Sequence, residues 1–309
     1  MAGLNDFPLP DLYRHFAGTG LVRRILELAR DEDLGPRRTD ITSLCSVAEG
    51  AMATGQIVAR SPGVIAGLAA LPDLLDVYGA SLEISLAVRD GDRVSPNTAI
   101  ANLSGSKRHL LAVERPALNL LGRLSGIATT AAAFVSAAAS PTPVKARIYD
   151  TRKTMPGLRV LEKYATRCGG AMCHRTGLFD AVLIKDNHIA GVGLDQLGRV
   201  LAEAAKRARS EFNPEFVEVE VDTLDQLTRV LAIPAGLVEL VLLDNMTPIQ
   251  LRQAVALRDK AGSRVELEAS GGVRLETIRT IAETGIDRIS VGAITHSAPW
   301  LDVALDIAG

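Results

Sequence analysis

FVEVEVDTLDQLTRVLAIPAGLVELVLLDNMTP, residues 216–248, reads as a strand, a helix and a second strand. FVEVEVD (216–222) and LVELVLLD (237–244) are short runs rich in valine and leucine, of the kind that form buried parallel strands. Thr223 before Leu-Asp-Gln marks a helix start, and Ile233-Pro234-Ala235 is a turn. Thr247-Pro248 opens the next helix, where proline suits the first turn. The same rhythm extends outward through KARIYD (145–150), AVLIKD (181–186), RVELEAS (264–270) and DRISVGA (287–293), with Gly262 and Gly285 placed where helices end. Six such repeats predict parallel strands with right-handed crossovers, closed or nearly closed into an α/β barrel. Six is fewer than the usual eight, so the barrel is expected to be incomplete; a doubly wound open sheet is the alternative.

The first half of the chain has another pattern. GQIVAR (55–60), LEISLAV (82–88) and TAIANL (98–103) alternate apolar and polar residues, as half-buried antiparallel strands do, and Asp90-Gly91-Asp92 signals a turn. Residues 21–34 and 69–78 read as helices, so this half is expected to be an open α/β sandwich. A long helix follows from Leu110 to near Ala139; Pro116 implies a start or kink, and Ser125-Gly126 an interruption. SPTP (140–143) reads as a linker. The expected domains are 1–135 and 136–309, with the C-terminal tail allowed to return to the first.

With 309 residues, 47% of them hydrophobic, the chain can bury a sizeable core. Lysine plus arginine total 34 and aspartate plus glutamate 36, a balance that does not point to nucleic acid. Cys45, Cys168 and Cys173 are an odd set without a CxxC pair, which argues against a disulfide framework and fits a reducing cytoplasm. Cys168, Cys173 and His174 match no standard zinc spacing. MAGLNDFPLPDLY lacks a basic region followed by an apolar run, so no secretory signal is expected. A membrane span is not expected either, since the Ala-rich run at 127–139 is short and weakly hydrophobic.

The strand ends carry the chemistry. They read Asp150-Thr-Arg152-Lys153, Lys185-Asp-Asn-His188, Glu220-Val-Asp222, Asp244-Asn245, Ser270-Gly271-Gly272 and Gly292-Ala293. In a parallel barrel these ends open on one face, where ligands bind. Arg152, Lys153, Arg175 and Lys185 would make a cationic pocket, and arginine grips planar carboxylates through paired bonds. The glycine turns can present bare N–H groups to a phosphate. Glu220 and Asp244, on adjacent strands, suit sugar hydroxyls or a hydrated Mg²⁺. A planar carboxylate, a phosphorylated sugar and a metal carried with phosphates are therefore expected. Blander expectations stand beside these. Glu162 and Lys163 read as the solvated face of a helix, and Tyr164 as core packing. His188 is weighed equally as a strand-end cap or a ligand contact, and His296 as a phosphate neighbour or a partner for a buried carbonyl. Glu218 is expected to point away from Glu220.

DTRKTMPGLRVLEKYATRCGG followed by HR, GLFDAVLIKDNHI, EVEVDTLDQL, LLDNMTP, LEASGGV and DRISVGAITHS resemble the quinolinate phosphoribosyltransferase family, as do TDITS (39–43) and ERPALNLLGRLSGIAT (114–129). The resemblance covers at least residues 39–297. It implies an α/β sandwich joined to an incomplete six-stranded barrel, a homodimer or higher assembly, Mg²⁺, and the conversion of quinolinate and phosphoribosyl pyrophosphate to nicotinate mononucleotide. By motif, Arg152, His174, Arg175 and Lys185 would face quinolinate, with Lys153 between the substrates. Glu220 and Asp244 would hold the ribose and its metal, and Ser270, Gly271, Gly272, Gly292 and His296 would surround the phosphate. Arg115 would complete the partner's site. The chain departs from the family at Gly170-Ala171-Met172-Cys173, where the family runs through glycines to asparagine; the His174-Arg175 pair is intact. A relative linked to molybdenum uptake shares the DTRKT-like segment but usually lacks the lysine that stands here as Lys185. A non-catalytic phosphosugar or dicarboxylate binder is the rival from another class; Glu220 and Asp244 argue against it.

Overall fold

The fold is described from a computed structural model, for residues 3–139, 141 and 143–308; the expected linker includes Ser140 and Thr142, which lie outside the described residues. In chain order the helices are α1 (Leu9–Gly18), α2 (Leu21–Leu34), α3 (Ile41–Ser46), α4 (Leu71–Tyr78), α5 (Lys107–Ala139), α6 (Arg159–Cys168), α7 (Leu194–Glu211), α8 (Leu224–Leu231), α9 (Pro248–Lys260), α10 (Leu275–Ala282) and α11 (Ala293–His296). The strands are β1 (Met52–Ala59), β2 (Gly63–Val64), β3 (Leu82–Leu86), β4 (Arg93–Val94), β5 (Ala99–Ser106), β6 (Arg147–Tyr149), β7 (Val182–Ile184), β8 (Val217–Val221), β9 (Leu240–Asp244), β10 (Glu266–Ser270), β11 (Arg288–Ser290) and β12 (Val303–Ala308). They form two compact units that interleave along the chain: Met1–Ala132 with Thr154–Ala171 and Ile294–Gly309, and Ala133–Lys153 with Met172–Ala293.

The first unit is built on an antiparallel sheet of order β12-β1-β5-β3. The C-terminal strand β12 lies against β1, pairing Thr54 with Ala308 and Ala59 with Val303. Along β1, Ala53, Gly55 and Ile57 are buried while Met52, Thr54 and Gln56 are exposed, the alternation of a sheet with one covered face. Leu110 of α5 covers it: a Cβ on Gly55 would meet Leu110 at 3.2 Å. The helix α5 is apolar and long enough to cross a membrane by length and composition alone, but more than half of that stretch is buried in the fold, as in a core helix.

Two expectations about this unit fail. The helix α5 is not interrupted at Ser125-Gly126 and runs on through Pro116. Gly126 is there for space: a Cβ on it would lie 2.0 Å from the Pro299 carbonyl oxygen and 3.0 Å from Trp300 Cα. One turn earlier, Leu301 N–H donates to the Gly122 carbonyl at 2.9 Å. The glycines thus make a groove in α5 for the segment leading to β12. The pair Glu162-Lys163 is not a solvated face, since both residues are 0% exposed. Arg123 of α5 donates to Glu162 Oε1 from Nε at 3.1 Å and from Nη2 at 2.6 Å, so the polar stripe of α6 meets an inward-facing cation. Tyr164 is core, and its hydroxyl donates to Asp90 Oδ2 at 2.7 Å.

The second unit is a six-stranded parallel sheet of order β6-β11-β10-β9-β8-β7. Only the pair β6–β7 is missing from a closed ring, so the barrel is open there. Met172 fills part of that edge: its N–H donates to Ile148 O at 2.7 Å and its carbonyl accepts from Asp150 N–H at 3.0 Å. The strand VEVEV explains the layering. Val217, Val219 and Val221 join Val241, Leu243, Leu267 and Ala269 in the apolar core under α7, α8 and α9. The alternate residues, Glu218 and Glu220, therefore project to the other side, into the barrel. The expectation that Glu218 faces away from Glu220 is wrong, because residues two apart on a strand share a face.

Gly126→Ala tests the groove in α5. Alanine gains up to ~1 kcal/mol of helix propensity. A methyl at 2.0 Å from a backbone oxygen forces α5 and residues 299–301 apart, and overpacking of this kind costs about 1–3 kcal/mol. Urea unfolding should show the variant less stable than the parent; equal or higher stability would remove the groove.

Candidate active site

The C-terminal ends of the parallel strands gather most of the expected residues within the second unit. Arg152 and Lys153 follow β6, Lys185 follows β7, Glu220 lies near the end of β8, Asp244 ends β9 and Ser270 ends β10. Asp244 pairs directly with Ser270 in the sheet register. Gly292 follows β11. Arg115, exposed on α5, and His296, exposed at the end of α11, belong to the first unit. His296 Nδ1 lies 2.6 Å from the hydroxyl of Ser297.

Arg175 sits on the loop between Met172 and β7. Asp180 ties that loop by accepting from Thr176 Oγ1 at 2.7 Å and from Gly177 N–H at 3.0 Å. The Arg175 guanidinium donates from Nη1 to Ala181 O at 3.1 Å. Burial lowers its proton affinity, and the nearby Arg152 guanidinium lowers it further, although arginine stays charged. A buried guanidinium with a second one near enough to disfavour its charge is an arrangement that an anion would relieve.

Lys185 Nζ donates to Glu220 Oε2 at 2.5 Å. The lysine is part exposed and the glutamate nearly buried, so the pair stands at the mouth of the barrel. His188 has the capping role, its Nδ1 accepting from Lys185 N–H at 2.9 Å. Asp244 Oδ2 accepts from Asn245 Nδ2 at 2.7 Å. The turn after β10 needs glycine: Gly271 has φ +95 and a Cβ there would strike Asn245 Oδ1 at 2.1 Å, while Gly272, at φ +60, faces open space. Positive φ at both positions turns successive N–H groups outward, the shape that receives a phosphate.

Deeper in the barrel lies a cluster that the sequence analysis missed apart from His174. Glu218, Glu268 and His174 are buried, the two glutamates completely. His174 Nε2 is 3.0 Å from Glu218 Oε2 and 3.4 Å from Glu268 Oε1. Arg288 Nε is 2.7 Å from Glu268 Oε2, and its Cζ stacks 3.8 Å above the Tyr149 ring. The strand alternation was the available signal: in a doubly covered strand, VEVEV and ELEAS place acids inside, where they need cations.

Burial raises the Glu218 carboxyl and Glu268 adds to it. Burial would raise Glu268 as well, but His174, then Arg288 and Ser290, outweigh it and hold that carboxyl below the usual range. For His174, burial opposes charge, while Glu268 and Glu218 favour it. The histidine and Glu218 therefore retain one extra proton as a unit. Arg175 N–H donates to His174 Nδ1 at 2.8 Å, so Nδ1 carries a lone pair, Nε2 carries the ring proton, and the extra proton belongs to Glu218. The trio has a metal-like donor set. The same tautomer leaves Nε2 without a lone pair, so no metal ligand is available there.

Comparison with known proteins agrees with this arrangement. The family described as Quinolinate phosphoribosyl transferase, N-terminal domain, matches residues 40–125, and its C-terminal domain matches residues 127–306. The chain is 45% identical over 273 residues to nicotinate-nucleotide pyrophosphorylase [carboxylating] of Mycobacterium leprae, covering 87% of this chain and 91% of that one. It is 42% identical over 252 residues to the probable enzyme of that name in Synechocystis, covering 81% of each. The solved nicotinate-nucleotide pyrophosphorylase from Francisella tularensis superposes with a TM-score of 0.83 at 33% identity, covering all of both chains. With both halves of one family matched in order across most of its length, the chain belongs to the quinolinate phosphoribosyltransferases.

Proposed function

We propose that the cup at the strand ends joins quinolinate to the phosphoribosyl group of phosphoribosyl pyrophosphate and releases nicotinate mononucleotide, pyrophosphate and CO₂. The observation that carries this reading is the buried Arg175, whose charge the nearby Arg152 disfavours, on strand ends that also carry Lys185. A pyridine with two adjacent carboxylates relieves that repulsion, and each charge-assisted bond contributes roughly 1.5–3 kcal/mol. Family membership carries the activity; the residue roles below are our assignment.

Arg152, Arg175 and Lys185 bind the two carboxylates and aim the ring nitrogen at C1 of the ribose. Holding both substrates in line removes much of the entropic barrier. A bond forms from the ring nitrogen to C1 as the C1–O bond to pyrophosphate breaks. Glu220 and Asp244 stabilise the positive charge that develops on the ribose, and Lys153 lies between the substrates. The ring nitrogen is then cationic and stabilises the electron pair left on the neighbouring carbon as its bond to the carboxylate breaks. CO₂ leaves, and the carbon takes a proton from solvent. The turn Ser270-Gly271-Gly272, with Gly292, receives the 5′-phosphate. His174 acts from below, since its imidazole is turned to Glu218 and Glu268.

Glu220 and Asp244 offer carboxylate oxygens and no nitrogen or sulfur, the donor type Mg²⁺ takes. A magnesium ion held there with the substrate's phosphates would neutralise the leaving pyrophosphate. A homodimer is also proposed, with Arg115 completing the partner's site. Arg115 is exposed, and Leu178 and Phe179 are 74% and 85% exposed, as suits residues that an assembly covers.

Three outcomes test these assignments. Arg152→Ala should raise the KM for quinolinate by roughly tenfold or more, the loss expected for one charge-assisted bond; unchanged kinetics would take Arg152 out of the site. EDTA should stop release of pyrophosphate and CO₂ from the paired substrates, with Mg²⁺ restoring both; turnover indifferent to chelation would dismiss the metal. Mixing folded Arg115→Ala and Lys153→Ala chains, each inactive alone, should recover part of the activity. A silent mixture that forms mixed assemblies would refute a shared site.

A further inference from the structure

The chain of contacts beneath the pocket has a direction. Arg288 stacks on Tyr149 and holds Glu268. Glu268 and Glu218 flank His174 Nε2. Phe216 meets the imidazole edge-on, with centroids 5.6 Å apart and planes at 83°. The histidine backbone is fixed as well, its N–H donating to the buried Asp150 Oδ1 at 2.8 Å. The free end of this assembly is Nδ1, which accepts the N–H of Arg175 at 2.8 Å.

We propose that Glu218 and Glu268 are positioning residues for Arg175: by keeping the ring proton of His174 on Nε2, they leave Nδ1 to fix the Arg175 backbone and so the place from which its guanidinium reaches the diacid. The proposal rests on the reading of Arg175 as a quinolinate contact. Its physical content is the tautomer. An imidazole with its proton on Nδ1 would oppose two N–H groups across 2.8 Å, and the Arg175 peptide would have to turn. The Arg175 side chain is tethered only further along, at Ala181 O, so a turned peptide moves the guanidinium relative to Arg152. Geometric errors of about an ångström in a positioning group cost up to about a hundredfold in rate or binding. A merely structural cluster predicts something else: loss of stability, with both substrates affected alike.

The kinetic test uses Glu218→Leu and Glu268→Leu in the full-length protein, because glutamine would mimic the protonated Glu218 and still accept from Nε2. Each should raise the KM for quinolinate roughly tenfold or more while leaving the KM for phosphoribosyl pyrophosphate within about twofold. Combined with Arg175→Ala, each should add little to the loss that Arg175→Ala causes alone, because residues acting through one another are not additive. Equal effects on both substrates, or full additivity, would overturn the proposal. Should the leucine variants not fold, nitrogen NMR of the ¹⁵N-histidine-labelled parent decides, with only five histidines to assign. His174 should show an unprotonated Nδ1 and a protonated Nε2 at neutral pH; a protonated Nδ1 would sink the idea. Calorimetry of the unmutated protein separates the two levels. No binding of quinolinate would remove the functional reading, whereas binding with the wrong tautomer would remove only the positioning role.

Discussion

The barrel unit depends on keeping buried carboxylates paired. Glu218 and Glu268 sit at zero exposure among backbone and ring atoms. Stripping a carboxylate of water costs several kcal/mol even after relaxation, so it must be matched by a cation or a proton. Arg288 meets Glu268, and Glu218, which keeps the extra proton, meets His174 Nε2. Removing one partner from such a set costs about 3–5 kcal/mol, a large share of the 5–15 kcal/mol that holds a domain together. The outer face of the same strands is wholly apolar, under three helices. Strand alternation therefore divides the unit into an oily exterior layer and an ionic interior.

Depth along one strand then separates support from chemistry. Glu218 and Glu220 lie on the same face of β8, two residues apart. The lower one keeps a proton and meets His174 in the interior, where no water could replace a lost partner. The upper one holds Lys185, whose side chain is 44% exposed, so water can follow when either group changes partner. An ion pair at the mouth can be opened by a ligand at small cost, and one in the interior cannot.

The parallel strands, their order of apolar runs and the charges at their ends were legible in the sequence, because a period of two and a helix start are local signals. The open edge between β6 and β7 also matches the expectation of an incomplete ring. What escaped was set by distant contacts. Nothing within α6 says that Glu162 will meet Arg123 across 39 positions. Gly126 looked like a helix breaker, since propensity speaks first, but its reason is a backbone oxygen 173 positions later. Glu218 was misplaced by misapplying the alternation itself, and the correct reading would have shown two acids inside the barrel and asked for their cations.

His174 shows how a motif and a structure can assign one residue at different levels. Beside Arg175 in the sequence it reads as a second ligand for the same anion. In the fold the two side chains part: one guanidinium goes to the Ala181 carbonyl and the pocket, one imidazole goes down to two glutamates. What joins them is the peptide between, with its N–H held by the ring. Arg175 is buried, and the positive charge of Arg152 disfavours its own. In the role proposed for Arg175, a backbone fixed from beneath would keep the guanidinium in place before a diacid arrives, and the buried charge cluster would supply the rigidity that this requires.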